Sequence, residues 1–274
     1  MSLKDLRNYL GKPAYETDDV LIYSKDCLEG MRSVKGQLVD LTVTSPPYNI
    51  GKEYEKVVNN SSYIDWCVEW ISEIHRITKD NGSFWLNLGY FKVEGKGTAV
   101  PIPYLLWDKT DFHLIQEVVW NYAAGVACKN RFSPRNEKLL WYVRDIENYV
   151  FNLDDVRDPN VKYPNQKKNG RSKVNPIGKN PSDVWQISKV TSGANRSSKE
   201  RTLHPAQFPL DLIDRVIKSS SNIGDIVLDP FMGSGTTAVS ALNNKRKVIG
   251  FELNESYLDI IVNRIETRNN MLDL

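Results

Sequence analysis

Short apolar, β-branched runs recur along the chain, separated by stretches long enough for helices. They are "DVLIYSKD" (19–26), "LVDLTVTS" (38–45), "GSFWLNLG" (82–89), "LIQEVVWNYA" (114–123), "KLLWYVRD" (138–145), "DIVLDP" (225–230) and "KVIGFEL" (247–253). Runs of this length bounded by turn residues read as buried strands, and their alternation with helical stretches predicts an α/β sheet covered on both faces. Between the second and third run lies "SSYIDWCVEWISEIHRITKDNG" (61–82), in which Ile64, Val68, Ile71 and Ile74 keep helical spacing. This predicts an amphipathic crossover helix with Ser61 or Ser62 as N-cap and Gly82 as its stop, most of its aromatics facing the core.

Composition changes this picture little. At 274 residues, 41% hydrophobic and 26% charged, the chain is long enough for a full core and unlike a disordered protein. Cys27, Cys67 and Cys128 are far apart, form no C-x-x-C, and have only His75, His113 and His204 as soft companions, so reduced thiols and no metal site are expected. "MSLKDLRNYLGK" lacks a signal-peptide core, and no apolar run approaches the ~20 residues that span a bilayer. The expectation is a cytoplasmic protein with no membrane partner.

Local charge is more informative than the net charge of +2. From 157 to 201 the periodic pattern gives way to Pro, Asn, Gly and Ser, with eleven Lys and Arg against three acids, which leaves the rest of the chain net acidic. A basic, loop-rich insert in an acidic α/β body suits a polyanion, although a solvated surface insertion has the same composition.

The most organised stretch is "DIVLDPFMGSGTTAVSALNNKRKVIGFELNESYLDII". A strand ends at Asp229, a turn holds Gly233 and Gly235, a small-residue helix starts near Thr236, and the next strand ends at Glu252. Glycines admit a ligand where a side chain would block it, and an acid closing the following strand can accept both hydroxyls of a ribose. The phosphate-holding lysine of a G-x-x-x-x-G-K-[ST] loop is missing, and Ala238 stands where a dinucleotide fingerprint has its third glycine. A nucleoside without a pyrophosphate fits better, and S-adenosylmethionine is the commonest such cofactor on this architecture.

One run, "DLTVTSPPYNIG" (40–51), passes from apolar strand into Ser45, Pro46, Pro47 and Tyr48. Alone, this could be a strand-ending turn. Together with "DPFMGSGTT" (229–237) it resembles the amino-group DNA methyltransferases, whose catalytic motif is [DNS]-P-P-[YFW]; the order of catalytic motif, basic segment and glycine turn is that of the family's β group. "SKDCLEGM" resembles the segment whose acid, here Asp26, contacts the cofactor. "HPAQFPLDLIDRVI" resembles the segment preceding the glycine turn, with Phe208 where the family usually has Lys.

The resemblance implies an α/β, Rossmann-like S-adenosylmethionine-dependent fold, with a mixed, mostly parallel sheet, helices on both faces and a loop-rich basic target-recognition insert. It divides the chain into a catalytic half (1–156), a target-recognition segment (157–201) and a cofactor half (202–274). Ser45, Pro46, Pro47 and Tyr48 become the catalytic tetrad. Asp26, Asp229, Phe231, Gly233, Gly235, Thr236 and Glu252 hold the cofactor; Lys167, Lys168, Arg171 and Lys173 meet double-stranded DNA. Ser at the head of the tetrad is commonest among enzymes that methylate N4 of cytosine, with N6 of adenine as the alternative. A cognate restriction endonuclease and a homodimer are left open.

Two relatives of the fold fit less well. Protein-amide methyltransferases with an x-P-P-Y tetrad carry the glycine turn before it, and carbon-5 cytosine enzymes need a thiol after proline, whereas each cysteine here follows Asp, Trp or Ala. An inactive fold kept as a nucleic-acid-binding module would lose the tetrad or the acids, and both are present.

Overall fold

The computed structural model describes residues 3–125, 127–191 and 198–272. In chain order the first half contains α1 (Leu3–Leu10), β1 (Tyr15–Thr17), β2 (Val20–Tyr23), α2 (Cys27–Ser33), β3 (Val39–Thr44), α3 (Asn60–Ile77) and β4 (Thr78–Leu88). A small hairpin of β5 (Tyr90–Val93) and β6 (Gly97–Pro101) follows, then α4 (Pro103–Leu106), β7 (His113–Asn121) and β8 (Asn136–Val143). The remainder holds β9 (Lys167–Lys168), β10 (Arg171–Ser172), β11 (Val184–Gln186), α5 (Leu210–Ser220), β12 (Ile226–Asp229), α6 (Thr236–Asn243), β13 (Lys247–Phe251) and α7 (Glu255–Leu272).

Nine strands form one sheet in the order β1-β2-β13-β12-β3-β4-β8-β7-β11. From β2 to β4 neighbours run parallel, β8 is antiparallel to both β4 and β7, and β11 returns parallel to β7. All seven strands expected from the apolar runs are present. Successive strand residues point to opposite faces, and both faces are buried. Leu21, Tyr23, Phe84, Leu86 and Leu228 pack toward α1, α2 and α3, while Val20, Ile22, Leu41, Val43, Trp85 and Val227 pack toward α5, α6 and α7.

The crossover helix differs from its expected limits. Its N-cap is Asn59, whose side chain accepts from Ser62 N at 2.9 Å, while Ser61 Oγ donates to the same oxygen at 2.7 Å. The amide oxygen reaches the free N–H groups from two residues before Ser61 and three before Ser62. The helix ends at Ile77, well before Gly82. Thr78 turns extended, its hydroxyl bonds Ile74 O at 2.7 Å, and the "TKDN" stretch enters β4 directly. The buried stripe is Tyr63, Cys67, Trp70, Ile71, Ile74 and Ile77; Ile64 and Val68 sit at its margins.

The basic segment is not wholly a surface insert, because β11 within it joins the main sheet and buries Trp185. Lys167, Lys168 and Arg171 lie on the exposed β9–β10 hairpin, which turns at Asn169 (φ 49°) and Gly170 (φ 76°). These left-handed torsions at both central positions are those of a two-residue hairpin turn that follows strand twist.

Three strands meet at Asp40. Its carboxylate accepts from Lys79 Nζ of β4 at 2.7 Å and from Ile226 N of β12 at 2.9 Å. Removing it leaves an amide in the sheet without its acceptor and an ammonium without its counter-charge. Asp40→Ala is expected to lower stability by about 1–3 kcal/mol, measured by urea unfolding; a loss under about 0.5 kcal/mol, the usual size at an indifferent surface site, would show that the three-strand junction holds without it.

Candidate active site

The two sequence motifs lie side by side although 185 residues separate their contacting members. β3 and β12 are neighbours and parallel, so Thr44 and Asp229 end adjacent strands at the same edge of the sheet. Thr44 Oγ1 donates to Asp229 Oδ1 at 2.7 Å, and Thr237 Oγ1, from the first turn of α6, donates to Asp229 Oδ2 at 2.6 Å. Phe231 N adds a third bond at 3.1 Å. A buried carboxylate thus joins the strand before the tetrad, the glycine turn and the helix after it.

The turn is docked onto the end of β13. Met232 N donates to Phe251 O at 3.0 Å and Gly233 N to Glu252 Oε2 at 2.8 Å, while Asn254 N donates to Glu252 Oε1 at 2.9 Å. Gly233 and Gly235 have φ of 55° and 74°, torsions that glycine adopts without strain. From α7, Arg264 Nη1 reaches Ser234 O at 2.8 Å and Thr236 Oγ1 at 2.9 Å, pinning the turn from behind.

Beyond these strand ends opens a cavity of about 680 Å³, within the usual size of a small-molecule site. One lobe is lined by Asp26, Trp66, Phe231 to Ser234, Thr236, Thr237 and Glu252. Phe231 packs against Trp66 and Trp70 at ring separations of 5.5 and 5.3 Å, and Asp26 caps α2 by accepting from Glu29 N at 3.0 Å. The other lobe is lined by Ser45 to Tyr48, Asn87, Tyr90, Trp120, Tyr122, Glu137 and Lys189, with Arg131 and the fully exposed Phe132 at its mouth. Pro47 O is held by Tyr63 Oη at 2.7 Å, and Ser45 Oγ donates to Tyr48 Oη at 2.9 Å.

A family model described as DNA methylase matches residues 39–263, which include both motifs. The chain belongs to this N6/N4 DNA methylase family. It is 63% identical over 264 residues to the type II methyltransferase M.ScaI of Streptomyces caespitosus, covering 96% of this chain and 87% of that one. Among solved structures, the cytosine-N4-specific PvuII DNA methyltransferase superposes with a TM-score of 0.71 at 23% identity, covering 96% and 95% of the two chains. The S-adenosylmethionine complex of M1.HpyAVI gives 0.59 at 24% identity, covering 90% and 98%. The methylase is accordingly an S-adenosylmethionine-dependent enzyme that acts on DNA.

The lobe at the glycine turn suits that molecule. It offers two acids, Asp26 and Glu252, an aromatic slot at Phe231 and Trp66, and a close-packed backbone turn. Burial raises the Glu252 carboxyl against bonds from Asn254 and Gly233. His204, a member of the segment preceding the turn, is held neutral by burial, with a pKa lowered to about 4. Its ring lies 4.4 Å from that of Tyr257 and backs Gly233. Phe208, in the position that departs from the family's Lys, lines the same cavity and packs on Trp120 at 6.1 Å.

All the tetrad and cofactor-site residues expected from sequence line this cavity except Gly235, which caps α6 behind it. Lys167, Lys168, Arg171 and Lys173 do not line it; among the described residues of the basic segment, only Lys189 and Thr191 do. Arg196 lies outside the described residues. Sequence reading missed Thr44, Thr237, Arg264, Glu137 and Lys189. Among the described residues no cluster of three or more His, Cys, Asp or Glu could hold a metal, and no helix is long and apolar enough to cross a membrane.

Burial raises Asp229 to about 6, opposed by its bonds from Thr237, Thr44 and Phe231. A carboxyl raised on folding keeps its proton when the unfolded chain has lost it. Its stabilising contribution is therefore full below about pH 4 and falls as pH rises through about 6. The shift is equivalent to about 3 kcal/mol. The stability of the wild type relative to Asp229→Asn should fall by about that amount between pH 4 and 6.5 in urea unfolding; a difference that is constant across the range would show that Asp229 does not titrate there.

Proposed function

We propose that this methylase transfers a methyl group to the exocyclic N4 of cytosine in duplex DNA, with the target base rotated into the lobe that Tyr48 lines. When bound, S-adenosylmethionine supplies an electrophilic methyl group on a sulfonium. Asp26 and Glu252 would bind its polar groups, Phe231 would flank its adenine, and the backbone from Gly233 to Thr236, behind Gly235 as cap, would close over its chain. The observation that carries the reading is that the tetrad and the two acids open into one continuous cavity at the ends of adjacent strands.

An exocyclic amine is conjugated into its ring and is a weak nucleophile. Ser45 Oγ and the Pro46 carbonyl can each accept one amine hydrogen, drawing the lone pair out of conjugation and aiming it. The two prolines stiffen the backbone that holds both acceptors. Tyr48 offers a flat face for the extruded base. Such catalysis consists largely of positioning.

Ser at the head of the tetrad favours cytosine, and the fold shared with a cytosine-N4-specific enzyme is consistent with it. The second reading is N6 of adenine, since the family model spans both amines and either base can be flipped and stacked. Digesting DNA methylated with labelled cofactor and separating the nucleosides by mass spectrometry tests both. Label is expected in N4-methyl-2′-deoxycytidine; label in N6-methyl-2′-deoxyadenosine would overturn the base assignment, and label in 5-methyl-2′-deoxycytidine the mechanism. The type II relative makes a role in protecting DNA from a cognate endonuclease part of this reading.

The 157–201 segment would supply target recognition, with Lys167, Lys168, Arg171 and Lys173 on phosphates. Each phosphate neutralised contributes about 0.9 to the slope of log affinity against log salt. Replacing Lys167 and Lys168 by Gln should lower that slope by about 1–2 while leaving the preferred site unchanged. Wild-type slope and affinity in fluorescence anisotropy would place the pair away from DNA.

A further inference from the structure

Glu137 stands at the start of β8 and belongs to no motif recognised in the sequence, yet its side chain reaches the tetrad. Tyr48 Oη lies 3.1 Å from Glu137 Oε2 and 2.9 Å from Ser45 Oγ; Asn87 Nδ2 lies 2.5 Å from the phenol oxygen and 2.8 Å from Glu137 Oε2. The other carboxylate oxygen takes Lys189 Nζ at 2.7 Å.

The chemistry of these groups fixes the direction of every bond. A carboxylate only accepts and an amide NH₂ only donates. Tyr48 Oη therefore gives its proton to Glu137 Oε2 at 3.1 Å, the nearer of its two acceptors, the other being Asn87 O at 3.4 Å, and accepts from both Asn87 Nδ2 and Ser45 Oγ. Ser45, having donated to Tyr48, turns its lone pairs to the cavity, the polarity an acceptor of an amine hydrogen must have. Burial, then the neighbouring Glu137 charge, pushes the Tyr48 phenol well above its usual range, so it carries a proton only by giving one up as it receives another.

We propose that Glu137 is the proton acceptor of methyl transfer, reached through Ser45 and Tyr48. This rests on the reading of the site as an exocyclic-amine methyltransferase. The amine lone pair forms the new N–C bond and the electrons of the C–S bond remain on sulfur. The nitrogen then holds one proton too many. That proton passes to Ser45 Oγ, the serine proton passes to Tyr48 Oη, and the tyrosine proton passes to Glu137, which ends neutral while both hydroxyls end unchanged. Lys189 pairs with the carboxylate at 2.7 Å and is itself held over the Tyr122 ring at 3.8 Å. The other titratable groups facing Glu137 are the phenols of Tyr122 on the strand side, Tyr90 of β5 and Tyr54 of the loop after the tetrad.

Two near-isosteric variants test the relay. Glu137→Gln keeps an oxygen for Tyr48 and Asn87 but takes no proton; Tyr48→Phe keeps the ring and breaks the chain of hydroxyls. In single turnovers with saturating cofactor and DNA, each should slow methyl transfer by about 10²-fold, and the double variant should be no slower than either, as expected of one unit. Cofactor affinity by calorimetry and capture of 2-aminopurine at the target position should stay within about twofold of wild type, a margin of under 0.5 kcal/mol. Wild-type rates in either variant would overturn the relay. So would a slow Glu137→Gln whose cofactor affinity or 2-aminopurine capture falls with the rate, which would make Glu137 a structural support. Should Glu137→Gln fail to fold, Tyr48→Phe decides alone. A wild type that labels no exocyclic amine would remove both the relay and the function on which it rests.

Discussion

The site depends on one buried carboxylate. Asp229 is almost wholly enclosed, yet it binds Thr44, Thr237 and Phe231 N, so three pieces of chain converge on two oxygens. A buried acid without such partners would be costly; with them it becomes a fixed point. The tetrad begins one residue after Thr44 and the glycine turn four residues after Asp229. Their mutual placement is therefore set by a few bonds at the sheet edge.

Around that point each half of the site has its own brace. Glu252 holds the glycine turn by its N–H groups, and Arg264 holds it from α7. Tyr63 of α3 clamps the Pro47 carbonyl, and Asn87 with Glu137 fixes the Tyr48 hydroxyl. The braces come from β13, α7, α3, β4 and β8, so nearly every element bordering the switch between β12 and β3 touches the chemistry. Ligands in open α/β sheets bind where the strand order reverses, and here the braces explain why the crevice stays open and shaped.

Much of this was legible in the sequence, for a physical reason. Strands buried on both faces must be apolar throughout, so all seven stand out as runs, and a glycine turn between a strand and a small-residue helix has few other uses. The limits of α3 were less legible. Asn59 competes with two serines two and three residues further on for the same capping role, and Thr78 ends the helix through its own hydroxyl without a glycine. The β9–β10 hairpin lies in the segment read as loop, although Asn169-Gly170 is a pair suited to its turn. Glu137 and Lys189 were beyond reach. A charged residue at a strand edge usually faces water, and only the register of β8 against β4, with Leu139 opposite Asn87, carries Glu137 to the tetrad.

The sheet order has a consequence for how the chain is made. β12 and β13 lie between β2 and β3, although both are synthesised some 180 residues or more after β3. Until they emerge from the ribosome, the earlier strands face a gap two strands wide, with two unpaired edges and the apolar side of each bared. Pairing that is so distant along the chain is slow to form and leaves such edges open to wrong partners. The basic segment, translated just before the missing strands, buries β11 at the far edge while the centre is still incomplete. Completion of the sheet and completion of the cavity at its edge are thus one event.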